Sequence, residues 1–121
     1  MKNILIIEDD ELLSKILFDS FAKAGFNTTK TVDALQGQQA VFSLKPDVVI
    51  LDLMLPAGNG VVLLRNLRAS AQTQAIPIIV MTSYRDEEVR KEMEEVGVHG
   101  YFHKPFEPDE MIQKINSILN S

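Results

Sequence analysis

The sequence Val48-Val49-Ile50-Leu51-Asp52 contains the clearest strand pattern in this chain of 121 residues. Four consecutive apolar residues are typical of a short strand that is buried on both faces. Such a strand belongs to a parallel sheet with helices packed against both of its sides. Because the run ends in Asp52, we expect a carboxylate at the carboxyl end of a central strand.

Strand and helix patterns alternate on both sides of this run. Further strands are predicted over Asn3–Ile7, Asn27–Val32, Ile76–Met81 and Tyr101–Phe102, and helices over Glu11–Ala24, Ala34–Leu44, Asp86–Val96, after Asn59 and from Pro108 onwards, with a loop over Pro56–Gly60. Five strands and five helices in alternation predict parallel pairing through right-handed crossovers. The chain is therefore predicted to be one α/β domain, a doubly wound (βα)5 three-layer sandwich with helices on both faces of the sheet.

The first two predicted helices each have one apolar face. The residues predicted to face the core are Leu13, Ile16, Leu17 and Phe21 in the first helix and Ala40, Val41 and Leu44 in the second. Their spacing is that of an amphipathic helix packed on a sheet.

Composition and charge exclude several classes of function. The chain has no cysteine, which excludes disulfides, thiolate metal sites and cysteine nucleophiles, and two histidines are too few for a three-histidine zinc site. A net charge of −5 argues against direct nucleic-acid binding, which needs a basic surface. No apolar run approaches the roughly 20 residues of a membrane span, and the N-terminus does not have the pattern of a secretory signal. We expect a cytoplasmic protein.

Acidic residues are concentrated between positions 86 and 95, where six acids stand against two bases. The favoured interpretation is a solvated helix face. The alternative is a docking surface for a basic partner.

Charged and hydroxyl side chains lie where the predicted strands end. Glu8 and Asp9 follow the first strand, Asp52 ends the third, Thr82 follows the fourth and Lys104 follows the fifth. In a doubly wound sheet, ligands bind at this carboxyl edge. Crowded carboxylates repel one another, and a divalent cation such as Mg²⁺, which prefers oxygen ligands, relieves the repulsion. The alternative is a set of solvated loop acids.

Phosphoryl chemistry fits these residue types. Asp52 beside a metal ion is a candidate nucleophile toward phosphorus. Thr82 is a candidate donor to a phosphoryl oxygen, and Lys104 is a candidate positive charge for phosphate or carboxylate. Taken singly, each has an ordinary alternative: a loop cap, a β-branched strand residue and a surface lysine. The Lys104–Pro105 bond is predicted to be cis, because proline lowers the cost of that isomer.

Together, the motifs resemble the receiver domain of bacterial two-component response regulators over essentially all of residues 1–121. The motifs are Ile4-Leu5-Ile6-Ile7-Glu8-Asp9-Asp10, Asp52-Leu53-Met54-Leu55-Pro56 followed by Gly60, Val80-Met81-Thr82-Ser83, and Gly100-Tyr101-Phe102-His103-Lys104-Pro105-Phe106. The spacing from Asp52 to Thr82 and on to Lys104 fits the family pattern. The resemblance implies a flavodoxin-like fold with strand order 2-1-3-4-5, in a single receiver domain spanning residues 1–121.

The resemblance also implies residue roles. It assigns Asp52 as the phosphoacceptor, which takes a phosphoryl group from a phosphohistidine. Asp9, Asp52 and the backbone carbonyl of Met54 would bind Mg²⁺ directly, and Glu8 would act through water. Asp10 is placed just outside this acidic pair.

The same resemblance implies a switch and its partners. Thr82 and Lys104 would bind phosphoryl oxygens, and Tyr101 would turn inward when Thr82 moves toward the phosphate. The implied phosphodonor is a sensor histidine kinase or a histidine phosphotransfer protein. The fourth helix, fifth strand and fifth helix would signal to a downstream effector protein, or to a C-terminal output domain if the chain is a fragment. The expected class is a signalling phosphoprotein and not an enzyme, without direct contact to nucleic acid or membrane. The chain's end soon after the last helix slightly favours a stand-alone protein.

Two positions depart from features of the family. Met54 and Tyr84 lie two residues after Asp52 and Thr82, where family members help to set how fast the phosphoryl group is lost. Neither side chain is an acid or an amide, so neither is expected to orient water well, and a long-lived phosphoryl group is predicted. The stretch Val98-His99-Gly100 lacks the acidic pair that many DNA-binding members use in their dimers, so that dimer is not expected.

Three other classes of function remain as alternatives. A Mg²⁺-dependent aspartyl-phosphate phosphatase or phosphotransferase commonly needs a second acid two residues after its nucleophile, where this chain has Met54. A flavin or nucleotide binder needs a glycine- or hydroxyl-rich first loop, where this chain has acids. A receiver that acts only as a docking module would not need the intact set of Asp9, Asp52, Thr82 and Lys104.

Overall fold

The computed structural model describes residues 1–55 and 59–120; Pro56, Ala57, Gly58 and Ser121 lie outside this part, and with them most of the predicted Pro56–Gly60 loop. Within the described residues, five strands alternate with five helices. The elements are β1 (Asn3–Ile7), α1 (Glu11–Lys23), β2 (Asn27–Thr31), α2 (Ala34–Leu44), β3 (Val48–Asp52), α3 (Gly60–Ala69), β4 (Ile78–Thr82), α4 (Glu87–Val96), β5 (Gly100–His103) and α5 (Pro108–Leu119).

The strands form one parallel sheet in the order β2-β1-β3-β4-β5. This order confirms the predicted doubly wound, flavodoxin-like α/β fold. The strand order reverses between β1 and β3, which lie side by side in the sheet. The crevice at the carboxyl ends of these two strands is therefore the expected ligand site.

Two apolar layers cover the two faces of the sheet. Because side chains alternate along a strand, Ile4 and Ile6 of β1 point to the layer of α1 and α5, whereas Leu5 and Ile7 point to the layer of α2, α3 and α4. All five residues of β3 are buried, which agrees with the apolar run over Val48–Asp52. The two layers hold β1 and β3 rigidly, and with them the side chains at their carboxyl ends.

The strand β4 begins two residues later than predicted. Ile76 lies in a turn, because its N–H donates to the carbonyl of Thr73, and Pro77 has no N–H for a sheet ladder. The strand also continues beyond the predicted end, to Thr82, which pairs with the last residue of β5. Thr82 is thus a strand residue paired with β5 and not the first residue of a loop.

The other boundaries differ by one residue. The structure has β2 ending at Thr31 and not Val32, α1 ending at Lys23 and not Ala24, Asp86 as the N-cap of α4, and β5 over Gly100–His103 in place of Tyr101–Phe102. The extension of β5 comes from pairing with β4 and not from the propensity of its own residues, which include a glycine.

Two predicted core residues lie outside the core. Ile16 of α1 and Leu44 of α2 are both exposed, while Leu17, Phe21 and Val41 are buried as predicted. Each helix packs on the sheet through a narrower stripe than its apolar residues suggest, so Ile16 and Leu44 remain at the edges. No helix among the described residues is long and apolar enough to span a membrane.

Candidate functional site

The site is built on the ends of the two central strands. Glu8 directly follows β1, and its backbone N–H donates to the carbonyl of Thr31 at the end of β2. Asp52 is the last residue of β3, and its carboxylate Oδ1 accepts the N–H of Met54 at 3.0 Å. Glu8 is 0% exposed and Asp52 is 2% exposed, so both carboxylates are removed from bulk solvent. Two buried like charges are costly unless a cation compensates them or one carboxylate takes up a proton.

Three carboxylates meet at this crevice. One oxygen each from Glu8, Asp9 and Asp52 lie within 4.8 Å of one another, and Asp9 is the exposed member. Such a set of hard oxygen donors fits a divalent cation that keeps part of its water shell, with the open side at Asp9. The structure thus brings together the three carboxylates that the sequence predicts as metal-binding residues.

Asp10 has a different part in the structure. Its Oδ1 accepts the N–H groups of Leu12 and Leu13 at 3.0 and 3.2 Å, which makes it the N-cap of α1. Its own N–H donates to Glu8 Oε2 at 3.1 Å. Asp10 therefore orients Glu8 from outside the three-carboxylate group.

Lys104 supplies the cation for the buried carboxylates. Its Nζ donates to Glu8 Oε1 at 2.5 Å and to Asp52 Oδ2 at 3.2 Å, and its side chain is 18% exposed. Its backbone N–H donates to the carbonyl of Thr82, which fixes the residue to the end of β4. The peptide bond between Lys104 and Pro105 is cis.

Ionisation in the site reflects crowding of like charges. Burial raises the pKa of Glu8, the neighbouring Asp52 raises it further, and Lys104 opposes the rise. Loss of solvent and the adjacent Glu8 raise the pKa of Asp9. Burial by itself lowers the pKa of Lys104, but the hydrogen bonds and ion pairs with Glu8 and Asp52 are stronger and raise it. One lysine thus compensates the carboxylates only in part.

Thr82 and Tyr101 lie on the neighbouring strands β4 and β5. Thr82 is buried, and its Oγ1 accepts the N–H of Tyr84 at 3.1 Å. Tyr101 is half-buried against the apolar layer of α2, α3 and α4, and this burial raises the pKa of its hydroxyl. His103 directly follows Phe102, and its ring Nε2 lies 3.1 Å from the carbonyl oxygen of Ser83. Because a carbonyl oxygen can only accept, this nitrogen is the donor.

Gly60 is a site residue to which sequence reasoning gave no role. A Cβ atom at Gly60 would lie 2.5 Å from the carbonyl oxygen of Asp52 and 2.6 Å from the Cα of Leu53. The first turn of α3 therefore packs directly on the backbone that carries the Asp52 side chain. The available indications were the place of Gly60 in the motif that follows Asp52 and the presence of a glycine at the start of a helix, where its propensity is poor.

We expect the Glu8 carboxylate to make stability depend on pH in magnesium-free solution. The folded protein binds this proton more tightly than the unfolded chain, because burial raises the pKa above its ordinary value of 4.5. The stabilisation by protonated Glu8 is fully present below pH 4.5, and it is lost as the pH rises through the pKa of Glu8 in the folded protein. Relative to Glu8→Gln, the wild type should therefore become less stable on this rise.

Urea unfolding of both proteins from pH 4 to 8 in EDTA measures this difference. Adding Mg²⁺ should abolish most of the slope, because the cation compensates the ionised carboxylates. A difference between the two proteins that is constant with pH would contradict the assignment of the slope to Glu8.

Comparison with known proteins gives the family. A family model described as the response regulator receiver domain matches residues 4–116. The chain is 32% identical over 119 residues to the DNA-binding dual master transcriptional regulator RpaA of Synechocystis sp., an alignment that covers 98% of this chain and 49% of RpaA. It is 36% identical over 118 residues to the DNA-binding response regulator MtrA of Mycobacterium tuberculosis, covering 98% of this chain and 50% of MtrA.

The solved structures agree with the sequence relatives. A putative response regulator from Chloroflexus aurantiacus superimposes with a TM-score of 0.91 at 28% identity, covering 99% of this chain and 98% of that one. The fold and the carboxylate cluster are those of a receiver domain of two-component response regulators. The chain belongs to the response regulator receiver domain family, which confirms the family predicted from the motifs. It spans about half the length of the curated relatives it matches.

Proposed function

We propose that this chain is the phosphoacceptor switch of a two-component phosphorelay and that Asp52 accepts the phosphoryl group. One observation carries the proposal: the Asp52 carboxylate ends a central strand with a lysine ammonium at 3.2 Å and two further carboxylates in the same cluster. This arrangement combines a nucleophile, a cation and a metal-compatible donor set at one point.

The proposed reaction is a direct phosphoryl transfer to an oxygen of Asp52. That oxygen attacks the phosphorus of a phosphohistidine, the phosphorus–nitrogen bond breaks, and the imidazole leaves with the electron pair. Such transfers depend on positioning and on neutralising charge at the transferring oxygens. The ammonium of Lys104, already in contact with Asp52, provides part of that charge.

Magnesium is the proposed cofactor of this step. The proposed direct ligands are Asp9, Asp52 and the backbone carbonyl of Met54, and Glu8 acts through water. When bound, Mg²⁺ neutralises charge on the carboxylates and on the phosphoryl oxygens. The geometry supports this proposal because the exposed carboxylate of Asp9 leaves one side of the cluster accessible.

Phosphorylation is proposed to act on the rest of the domain through Thr82. In this structure the Thr82 hydroxyl accepts the Tyr84 N–H, which leaves its own O–H hydrogen available to donate to a phosphoryl oxygen. We propose that Lys104 also binds the phosphoryl group and that Tyr101 turns inward as Thr82 moves. The helix α4 can respond because Met93 is the one residue it buries completely. The response is a shift of an existing equilibrium.

The proposed partners follow from the family and from the length of the chain. The phosphodonor is a sensor histidine kinase or a histidine phosphotransfer protein in the cytoplasm. The readout is the face formed by α4, β5 and α5. Since relatives twice as long are named as DNA-binding, the recipient of the signal is proposed to be either a separate effector protein or an output domain in the same polypeptide.

Intact mass after incubation with acetyl phosphate tests the function. We expect one added phosphoryl group of about 80 Da that requires Mg²⁺ and is absent from Asp52→Ala. No gain of mass under any condition would contradict the proposal and favour a docking module. Release of phosphate over many turnovers would favour the phosphatase or phosphotransferase instead.

A further inference from the structure

We propose that Met54 is a site of reversible oxidation that controls how long a phosphoryl group stays on Asp52, an inference that rests on the proposed function. The oxidant is a dissolved two-electron oxidant such as hydrogen peroxide. The proposal combines an accessibility difference among the methionines with the position of Met54 beside the phosphoacceptor.

Met54 is the internal methionine that solvent can reach. It is 46% exposed, whereas Met81, Met93 and Met111 are each 0% exposed within the apolar layers. Met1 is also exposed, but it precedes β1 and therefore lies at the opposite edge of the sheet from the carboxylates. The chain has no cysteine, so no thiol competes for the oxidant. Oxidation near the site therefore falls on Met54.

The backbone of Met54 is fixed to the phosphoacceptor. Its N–H donates to Asp52 Oδ1 at 3.0 Å, and the preceding Leu53 is buried, with its N–H bonded to the carbonyl of Met81. The following Leu55 packs against the apolar layer of α2, α3 and α4. A chemical change in the exposed side chain thus occurs on a residue whose backbone is hydrogen-bonded to the Asp52 carboxylate.

The reaction needs no group beyond the oxidant. The thioether sulfur takes one oxygen atom from hydrogen peroxide, the oxygen–oxygen bond breaks, and water is released. The sulfur is oxidised by two electrons and the peroxide is reduced by two. Methionine sulfoxide reductases reverse this modification, so the site can report the current oxidant level.

The modification changes the chemistry at the rim. A thioether is a weak hydrogen-bond acceptor, so it does not hold the water that must attack phosphorus. A sulfoxide is polar and chiral, and its oxygen accepts hydrogen bonds. We therefore expect oxidation to shorten a lifetime that is otherwise long, by about three- to tenfold, the effect of one hydrogen bond to the attacking water.

The test combines a peptide map with a decay measurement on the same protein. After a graded hydrogen peroxide treatment, peptide masses should show the gain of about 16 Da at Met54 at least about tenfold earlier than at Met81, Met93 or Met111. In urea the four rates should become similar, because burial is what protects the other three. Phosphorylated protein is then followed by intact mass, with and without peroxide treatment, for wild type and for Met54→Leu.

Each protein is compared with itself before treatment. Peroxide should accelerate phosphoryl loss in the wild type and leave the Met54→Leu decay unchanged, whatever the untreated rate of that variant, and Met54→Gln should decay faster than Met54→Leu. Equal oxidation of exposed and buried methionines, or an oxidised Met54 without any change in decay, would overturn the proposal. If the untreated wild type takes up no phosphoryl group, the proposed function and the regulatory role of Met54 are both overturned. The peptide map still shows in that case whether Met54 is the site of oxidation.

Discussion

Replacing Gly60 by alanine should destabilise the domain by about 3 kcal/mol and slow the phosphorylation of Asp52. The added Cβ would lie 2.5 Å from the Asp52 carbonyl oxygen and 2.6 and 2.9 Å from the Cα and carbonyl carbon of Leu53. These are backbone atoms at the end of a fully buried strand, so they cannot rotate away as a side-chain tip does. Either α3 moves outward or the Asp52–Leu53 backbone shifts, and both disturb the packing that positions the Asp52 carboxylate.

Two glycine variants serve as controls for this contact. Gly25→Ala meets no atom within 4 Å, and its cost comes only from a φ of +93°, so about 1 kcal/mol is expected. Gly37→Ala meets side-chain atoms of Ile7 and gains helix propensity in return, so its net cost should be smaller than that of Gly60→Ala. Urea unfolding with acetyl phosphate labelling of all three measures the ranking. A Gly60→Ala protein that is as stable and as readily labelled as Gly25→Ala would show that α3 moves at little cost, and it would contradict the prediction.

The parts of the fold that the sequence predicts well are those with a buried, uniform environment. The strands β1 and β3 have the bounds predicted for them, because their apolar runs are covered on both faces. The ends of β4 and β5 were wrong, since they depend on hydrogen bonds to a neighbouring strand and on Pro77 and not on hydrophobicity. Ile16 was wrong for a similar reason. Helical spacing predicts which residues share the apolar face of a helix, but it does not predict how much of that face the neighbouring elements cover.

The sequence predicts which residues meet in the site, but not which of their side chains bind one another. Parallel strands deliver Glu8, Asp52 and Lys104 to one edge, and sequence position alone indicates this. That the lysine binds both buried carboxylates is a matter of distances between residues up to 96 positions apart. No periodicity or local propensity encodes such a distance.

Arg68 illustrates what sequence patterns miss altogether. Its guanidinium donates to the carbonyls of Gly97, Gln74 and Ile76, and burial lowers its pKa. An arginine in the last turn of a helix ordinarily indicates a solvated end. Here it joins the end of α3 to the end of α4, because three backbone acceptors face a position that one long side chain can fill.

Replacing Lys104 by methionine should have the other large effect, a loss of about 3 kcal/mol at pH 8 without Mg²⁺. Methionine keeps most of the packing but leaves the buried carboxylates of Glu8 and Asp52 without their cation. Ionised groups in that position must either take up a proton or draw water into the crevice. The loss should therefore diminish as the pH falls toward 5, where a proton replaces the ammonium, and Mg²⁺ should recover part of it at pH 8.

The surface pair of Lys15 and Asp19 provides the matched control. These side chains lie 2.8 Å apart but are 69% and 51% exposed, so Lys15→Met should leave stability unchanged within error. Lys104→Arg keeps the charge in a bulkier form and should fall between the wild type and Lys104→Met. Urea unfolding at pH 5 and pH 8, with EDTA or Mg²⁺, measures all four proteins. If Lys104→Met loses the same free energy at both pH values and does not respond to Mg²⁺, the Lys104 side chain stabilises the domain through packing and not as the counterion of Glu8 and Asp52.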